Sequence, residues 1–438
     1  MYCVDKPPGH NHRRRGNTPP PPPPPPLPPA TESRTMPVAP AATPVPARLL
    51  SLDAFRGFVV LAMVWLNYIA GMPGLPHWLQ HAGAGADGVT LPDLVFPAFL
   101  FIVGVAIPLA LQRQRGRVGL PLLGRLGWRA AGLMLAGVVL ANAYRYDAAA
   151  AALPRALYFV LFYAALILLW RQSASRGAAF YTGAALMLAL LLAFRGTLNG
   201  EFDRVWLQHS WWGILGMIGW TYLFCSLIYL ATGGNRAALM GALAGLVALY
   251  MGGRVGSLDF LPAQLTQLVN VPELLGSTAA NVLAGTVVGT LFVRDGDAPA
   301  TSHGQRIGFM AWFAAGLVAA GMLLRPYHHI NKIHATESYT LVCAGAALAL
   351  FLLFYIVIDV LAWRRWSAPL LPAGGNALFA YIVPDLCEQL AALLRLPRLW
   401  WPYLATGGGA GLLNAAAVTA CMMLIVALAN RHGLRLKF

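Results

Sequence analysis

Charge is what this chain has least of. Only 16 of its 438 residues are Asp or Glu, and charged residues of both signs make up 11%, against about 25% in an ordinary soluble domain. Too few polar side chains exist to clothe a water-soluble surface. The five cysteines (Cys3, Cys225, Cys343, Cys387 and Cys421) form no Cys-x-x-Cys pair, and four lie inside apolar runs. They read as small core residues, not as a disulfide framework or a metal site. HExxH, GxSxG and phosphate-loop patterns are also missing, so zinc protease, serine hydrolase and NTPase chemistry has no support. The first 47 residues contain no apolar core of a cleavable secretory signal.

What is there is apolar. Hydrophobic residues make up 58% of the chain and the mean hydropathy is +0.61. They come in long blocks parted by short basic loops, which predicts an all-α, polytopic membrane helix bundle with the lipid bilayer as its first partner. Twelve candidate spans fall near 56–72, 93–111, 130–143, 155–170, 178–194, 211–231, 237–251, 278–293, 308–324, 340–362, 370–392 and 410–430. Several are shorter than the ~20 residues that cross a bilayer core, so the expectation is ten to twelve.

The formal net charge is +15. With the N-terminus placed in the cytoplasm, most Lys and Arg fall in inner loops, which predicts cytoplasmic N- and C-termini. No basic stripe is interleaved with aromatics outside the apolar blocks, so no nucleic acid partner is expected. Residues 1–47, with Arg13, Arg14 and Arg15 ahead of an unbroken proline run from Pro19 to Pro26, read as a disordered, basic, Pro-rich cytoplasmic tail. Residues 48–438 read as the membrane domain.

The densest polar information lies between Ser51 and Pro108. Asp53 and Arg56, three apart at the mouth of the first span, share a helix face and can pair; alternatively Arg56 meets a phosphate of an anionic cofactor. Asn67 lies eleven residues on, about 16 Å deeper, and an amide there needs a partner or a task. His81 follows in a Gly-rich loop. An imidazole can take and return a proton near neutrality, and Asp93 or Asp87 is placed to fix its tautomer. Thr90, Pro92 and Asp93 form a helix-start signal. Later, Asn376, Tyr381, Asp385 and Glu388 share one span, and embedded acids are functional candidates.

Taken in order, SLDAFRG, Asn67-Tyr68, the His81-Ala82 opening of the loop, LPDLVFPAFLFIVG, INKIHATESYTL and GGNALFAYI resemble the heparan-alpha-glucosaminide N-acetyltransferase family and its bacterial relatives. The resemblance brackets roughly residues 48–390 and is loosest around 195–270. It implies a transmembrane acyltransferase-like domain that takes acetyl from cytoplasmic acetyl-CoA, used as a substrate with no metal, and delivers it across the membrane. By the resemblance the family's active histidine falls on His81 and its asparagine on Asn67. Segments that help line the cofactor site fall on Asn331, Lys332, Asn376 and Tyr381. The loop HAGAGADG departs from the family's shorter HASWNG-like loop, Pro384-Asp385 replaces a His-Glu pair, and two spans near 211–251 look inserted.

The expected catalytic residues are therefore His81 as general base, Asn67 as donor to the oxyanion, and Asp93 as the partner of His81; an acetyl-histidine intermediate is the alternative route. The expected cofactor-binding residues are Asp53, Arg56, Asn331, Lys332, Asn376 and Tyr381. The implied acceptor is an amino or hydroxyl group of a periplasmic, cell-envelope sugar, and the implied location is the inner membrane. Homodimeric assembly stays open. The rival from another class is a transporter or flippase of a small envelope precursor, using the same embedded polar groups without chemistry; a scaffold that kept the fold is a third.

Overall fold

A computed structural model describes residues 49–114, 118–172, 177–197, 204–209, 211–293, 301–396 and 407–436. The predicted basic tail, residues 1–47, lies outside them. Leu49–Phe438 form one unit.

The protein is a multi-pass, all-α membrane bundle. Its helices are α1 Leu50–Ile69, α2 Leu91–Leu111, α3 Leu120–Ala141, α4 Arg155–Trp170, α5 Ala178–Ala193, α6 Gly213–Ala231, α7 Arg236–Arg254, α8 Ala263–Leu268, α9 Ala279–Gly289, α10 His303–His328, α11 Glu337–Tyr355, α12 Leu371–Gly375, α13 Ala377–Leu393 and α14 Gly408–Arg431. A π-helix, Val271–Thr278, leads into α9. A two-residue antiparallel pair, Gly196–Thr197 with Arg204–Val205, is the only strand pairing between elements among the described residues. Among the described residues, nine helical stretches are long and apolar enough to cross a membrane; α4 and α5 are apolar but shorter. In hydrocarbon the backbone must satisfy itself, which is why such runs become helices.

Each of the twelve apolar segments coincides with helix, and several boundaries shift; the first begins at Leu50, not at 56, and the ninth runs from His303 to His328, not from 308 to 324. The third begins at Leu120, not at 130, because Pro121 sits in its first turn, where its missing N–H costs nothing. The eighth begins earlier, as the π-helix, where Asn270 accepts a hydrogen bond from the Glu273 amide at 3.2 Å. The eleventh is broken at Asn376 into α12 and α13.

Small residues decide which helices touch. A Cβ built on Gly104 would lie 1.9 Å from the Val282 carbonyl oxygen, and one on Gly285 would lie 2.0 Å from that of Phe101. Glycine at both places lets α2 and α9 pack backbone to backbone, as small residues do in membranes. Gly57 and Gly374 do the same for α1 and α12. Every residue of α9 is buried, so α9 is the axis of the bundle. It grips α2 along Phe101–Val105, and the first turn of the same helix carries Asp93.

Candidate active site

Asp93 is built into the first turn of α2. Its carboxylate accepts the Thr90 amide at 3.3 Å and the Thr90 hydroxyl at 2.8 Å, the reciprocal contact of a helix-capping box. The same oxygen, Oδ2, accepts the Ala82 amide at 3.1 Å, which fixes the loop immediately after His81. The other oxygen, Oδ1, faces two cations or potential cations. His81 Nδ1 lies at 2.8 Å and Lys332 Nζ at 3.1 Å. Asp93 is fully buried, and a buried carboxylate is tolerated only when so surrounded by donors.

Lys332 Nζ is also 2.9 Å from His81 Nδ1. That nitrogen cannot both donate to Asp93 and accept from Lys332. The assignment that satisfies the buried carboxylate has Nδ1–H and Lys332 both donating to Oδ1. The lone pair of His81 then sits on Nε2, free to act as a base. The imidazole is half exposed, and it lines a cavity.

That cavity, the main chamber in the sense that it holds His81, is about 420 Å³ and is lined by His81, Lys332, Asn67, Tyr381 and Arg129 within an otherwise apolar wall. It follows α2 from Pro92 to Val103, about 16 Å at 1.5 Å per residue. His81, Lys332 and Trp211 stand at the Pro92 end. Val103 ends that stretch of α2; on the neighbouring helices Gly219 of α6 packs on the Ala130 carbonyl, which sets Arg129 level with the middle of α6 and away from Trp211. Asn67 has no hydrogen-bond partner among the described residues and borders a third chamber of about 360 Å³ as well. Tyr68, Tyr163, Tyr381, Asp385 and Glu388 share that chamber, and the Tyr163 hydroxyl donates to Asp385.

Arg129 was not singled out in the sequence. It is exposed to the cavity and has no acidic partner among the described residues. Pro121 was the signal for it. A helix starting at Leu120 carries position 129 about 14 Å into the bundle, where an arginine is a functional-site candidate.

The remaining site residues take other places. Asn331 is buried and its amide donates to the carbonyls of Ala84 at 2.6 Å and Ala86 at 3.1 Å, pinning the loop after His81. Asn376 is buried; its amide donates to Asn430 Oδ1 and the Leu434 carbonyl and accepts the Leu436 amide, tying down the C-terminal segment. Arg56 pairs with Asp53 at 3.3 Å and donates to the Gly374 carbonyl at 3.0 Å, so this pair braces α1 against α12. None of these four borders the main chamber. Asp87 stands apart from His81. It accepts the Ile330 amide at 2.8 Å and pairs with Arg325 at 3.0 Å.

Buried, donor-saturated Asp93, His81 with a free Nε2, and a long chamber beside them define a membrane-embedded site suited to proton transfer. The family model described as "Domain of unknown function (DUF5009)" matches residues 48–259. Heparan-alpha-glucosaminide N-acetyltransferase of Homo sapiens is 40% identical over 101 residues, 22% of this chain and 14% of that protein. Its Mus musculus counterpart is 40% identical over 98 residues, with the same shares. The resemblance seen in the motifs is thus borne out, over a stretch that spans about a seventh of either relative.

Proposed function

We propose that this chain is a transmembrane acyltransferase that moves acetyl from acetyl-CoA to an amino or hydroxyl group of a cell-envelope sugar. One observation carries the reading: a single chamber is lined both by His81, which pairs with Asp93, and by Arg129, a guanidinium with no acidic partner among the described residues. Coenzyme A is a polyanion on a thin arm. Arg129 suits its phosphates, since an arginine binds phosphate through charge-assisted hydrogen bonds. The apolar wall suits the arm, and the thioester then reaches His81 and Asn67. In cells the chain sits in the inner membrane with both termini in the cytoplasm, following its basic loops.

The chemistry follows from the positions. His81 Nε2 takes the proton of the acceptor as its nitrogen or oxygen attacks the acetyl carbon. Asp93 holds the ring and compensates the imidazolium. Asn67, whose amide has no partner among the described residues, donates to the oxygen that becomes negative. The C–S bond breaks, and the proton passes from His81 to the departing thiolate. The matched relatives are named acetyltransferases, which agrees.

The test uses the full-length protein in detergent. Acetyl-CoA should raise its Tm, and wild type should release free thiol when an acceptor is added, while His81→Ala retains the Tm rise and loses the release. Full release by His81→Ala, or no Tm rise in wild type, overturns the reading.

A further inference from the structure

Beside the main chamber lies a second one of about 530 Å³, and the two share Phe96, Trp211, Met217 and Lys332 in their walls. Its character is different. Where the main chamber is apolar, this one presents Gln267, Asn270, Glu273, Thr278, Asn281 and Thr340. Its volume lies within the ~300–1,000 Å³ usual for small-ligand sites.

Three features mark it as built for a ligand. Asn281 is 98% buried, yet its side-chain oxygen has no hydrogen-bond partner among the described residues. A buried, unpaired amide oxygen is costly, and a ligand donor would satisfy it. Glu273 has no ion-pair partner among the described residues and stands on the π-helix that precedes α9; π-turns are rare and concentrate at functional sites. Trp212 holds a left-handed backbone, φ 67°, which a bulky residue adopts only where surroundings impose it. Its indole donates to the Leu268 carbonyl at 2.7 Å, and His209 meets the Gln267 carbonyl at 2.7 Å. These two contacts fasten the segment before α6 onto α8, beside the chamber.

Resting on the acyltransferase reading, we propose that this second chamber binds the sugar ring of the acceptor. Glu273 accepts hydrogen bonds from ring hydroxyls, Asn281 accepts another, and the Trp211 and Trp212 rings offer apolar faces to the C–H side of the sugar. The nucleophile points past Lys332 toward His81. An ammonium would be repelled by Lys332, so the amine reacts as the neutral base. Its nitrogen bonds to the acetyl carbon, the C–S bond breaks, and the amine proton leaves through His81 to the thiolate. Much of this wall, from Trp211 to Asn270, comes from the stretch where the family resemblance is loosest.

The experiment uses the full-length protein, with glucosamine as the sugar probe and ethanolamine as an amine without a ring. Thiol release and Tm are read for wild type, Glu273→Gln, Asn281→Leu and, as comparator from the third chamber, Asp385→Asn. Wild type should show a KM for glucosamine at least tenfold below that for ethanolamine. Glu273→Gln and Asn281→Leu should each raise the glucosamine KM tenfold or more, leave the ethanolamine KM within twofold, and keep the Tm rise with acetyl-CoA. Glucosamine alone should also raise the wild-type Tm and not that of Glu273→Gln, which tests the chamber even if acetyl-CoA has no effect. The proposal is overturned if glucosamine gives neither release nor a Tm rise, if both chamber variants keep the wild-type KM, or if Asp385→Asn alone moves it. Loss of the acetyl-CoA response with the glucosamine response intact overturns the donor reading instead.

Discussion

His81 Nδ1 lies 2.8 Å from Asp93 Oδ1, although one residue belongs to an irregular loop and the other to the first turn of a membrane helix. The contact holds because the same carboxylate caps α2 through Thr90 and receives the amide of Ala82. Orienting the His81 ring and starting the helix are thus one structural act. Asp93→Asn should therefore damage both. It replaces one of the two oxygens that together serve five donors with an NH2 group, and it releases the tautomer of His81. Thiol release should fall by about 10²–10⁴-fold, the usual worth of a positioned general base, with Tm lowered as well. A variant that keeps the wild-type turnover would show that Asp93 only caps α2.

Arg129 should behave as a binding residue and not as a catalytic one. A hydrogen bond to a charged group contributes about 1.5–3 kcal/mol, so Arg129→Ala should weaken acetyl-CoA about 10- to 100-fold. Saturating donor should restore turnover. Arg56→Ala should do the opposite. It unfastens α12 from α1 and should lower Tm with the donor affinity of the folded fraction unchanged. Titration of the acetyl-CoA thermal shift in both variants separates the two roles.

Asp87 is held below its ordinary value of 3.8, first by the Ile330 amide and then by Arg325. A carboxylate whose folded pKa is depressed contributes stability above its unfolded pKa and loses it as pH falls through the folded value. Asp87→Asn should accordingly lower Tm at pH 7, with the gap to wild type closing as pH falls below 3.8. Tm measured from pH 7 down to the acid limit decides it. A gap that is independent of pH would mean that the ion pair with Arg325 carries no linkage.

Much of this fold was legible because hydrocarbon allows few solutions. Apolar runs must be helices, and all twelve are. Asp93 was legible from Thr90 and Pro92, which announce a helix start. The roles of asparagines were not. Asn67, Asn331 and Asn376 all sit near apolar segments, and the sequence cannot say whether an amide is spent on backbone. Asn331 and Asn376 are so spent; among the described residues Asn67 has no such partner. Arg129 was hidden in a run of basic loop residues until the true start of α3 carried it inward. The second chamber was hidden entirely, since its walls come from α2, the Trp211–Trp212 segment, the π-helix and the turn around Lys332, which only the packing of α2 on α9 brings together.

That packing sets the last expectation. Gly285 touches the Phe101 carbonyl so closely that any side chain there must push α9 from α2. Overpacking a tight core costs about 1–3 kcal/mol for small additions, and here the obstacle is backbone on both sides. Gly285→Ala should lower Tm and Gly285→Leu should abolish recovery of folded protein. Because α2 carries Asp93 and α9 carries Asn281, Gly285→Ala should also raise KM for glucosamine while Gly316→Ala, at a position with nothing within 4 Å, leaves both Tm and KM as in wild type. If Gly285→Ala kept the wild-type Tm and KM, the two helices would not be registering the two chambers against each other.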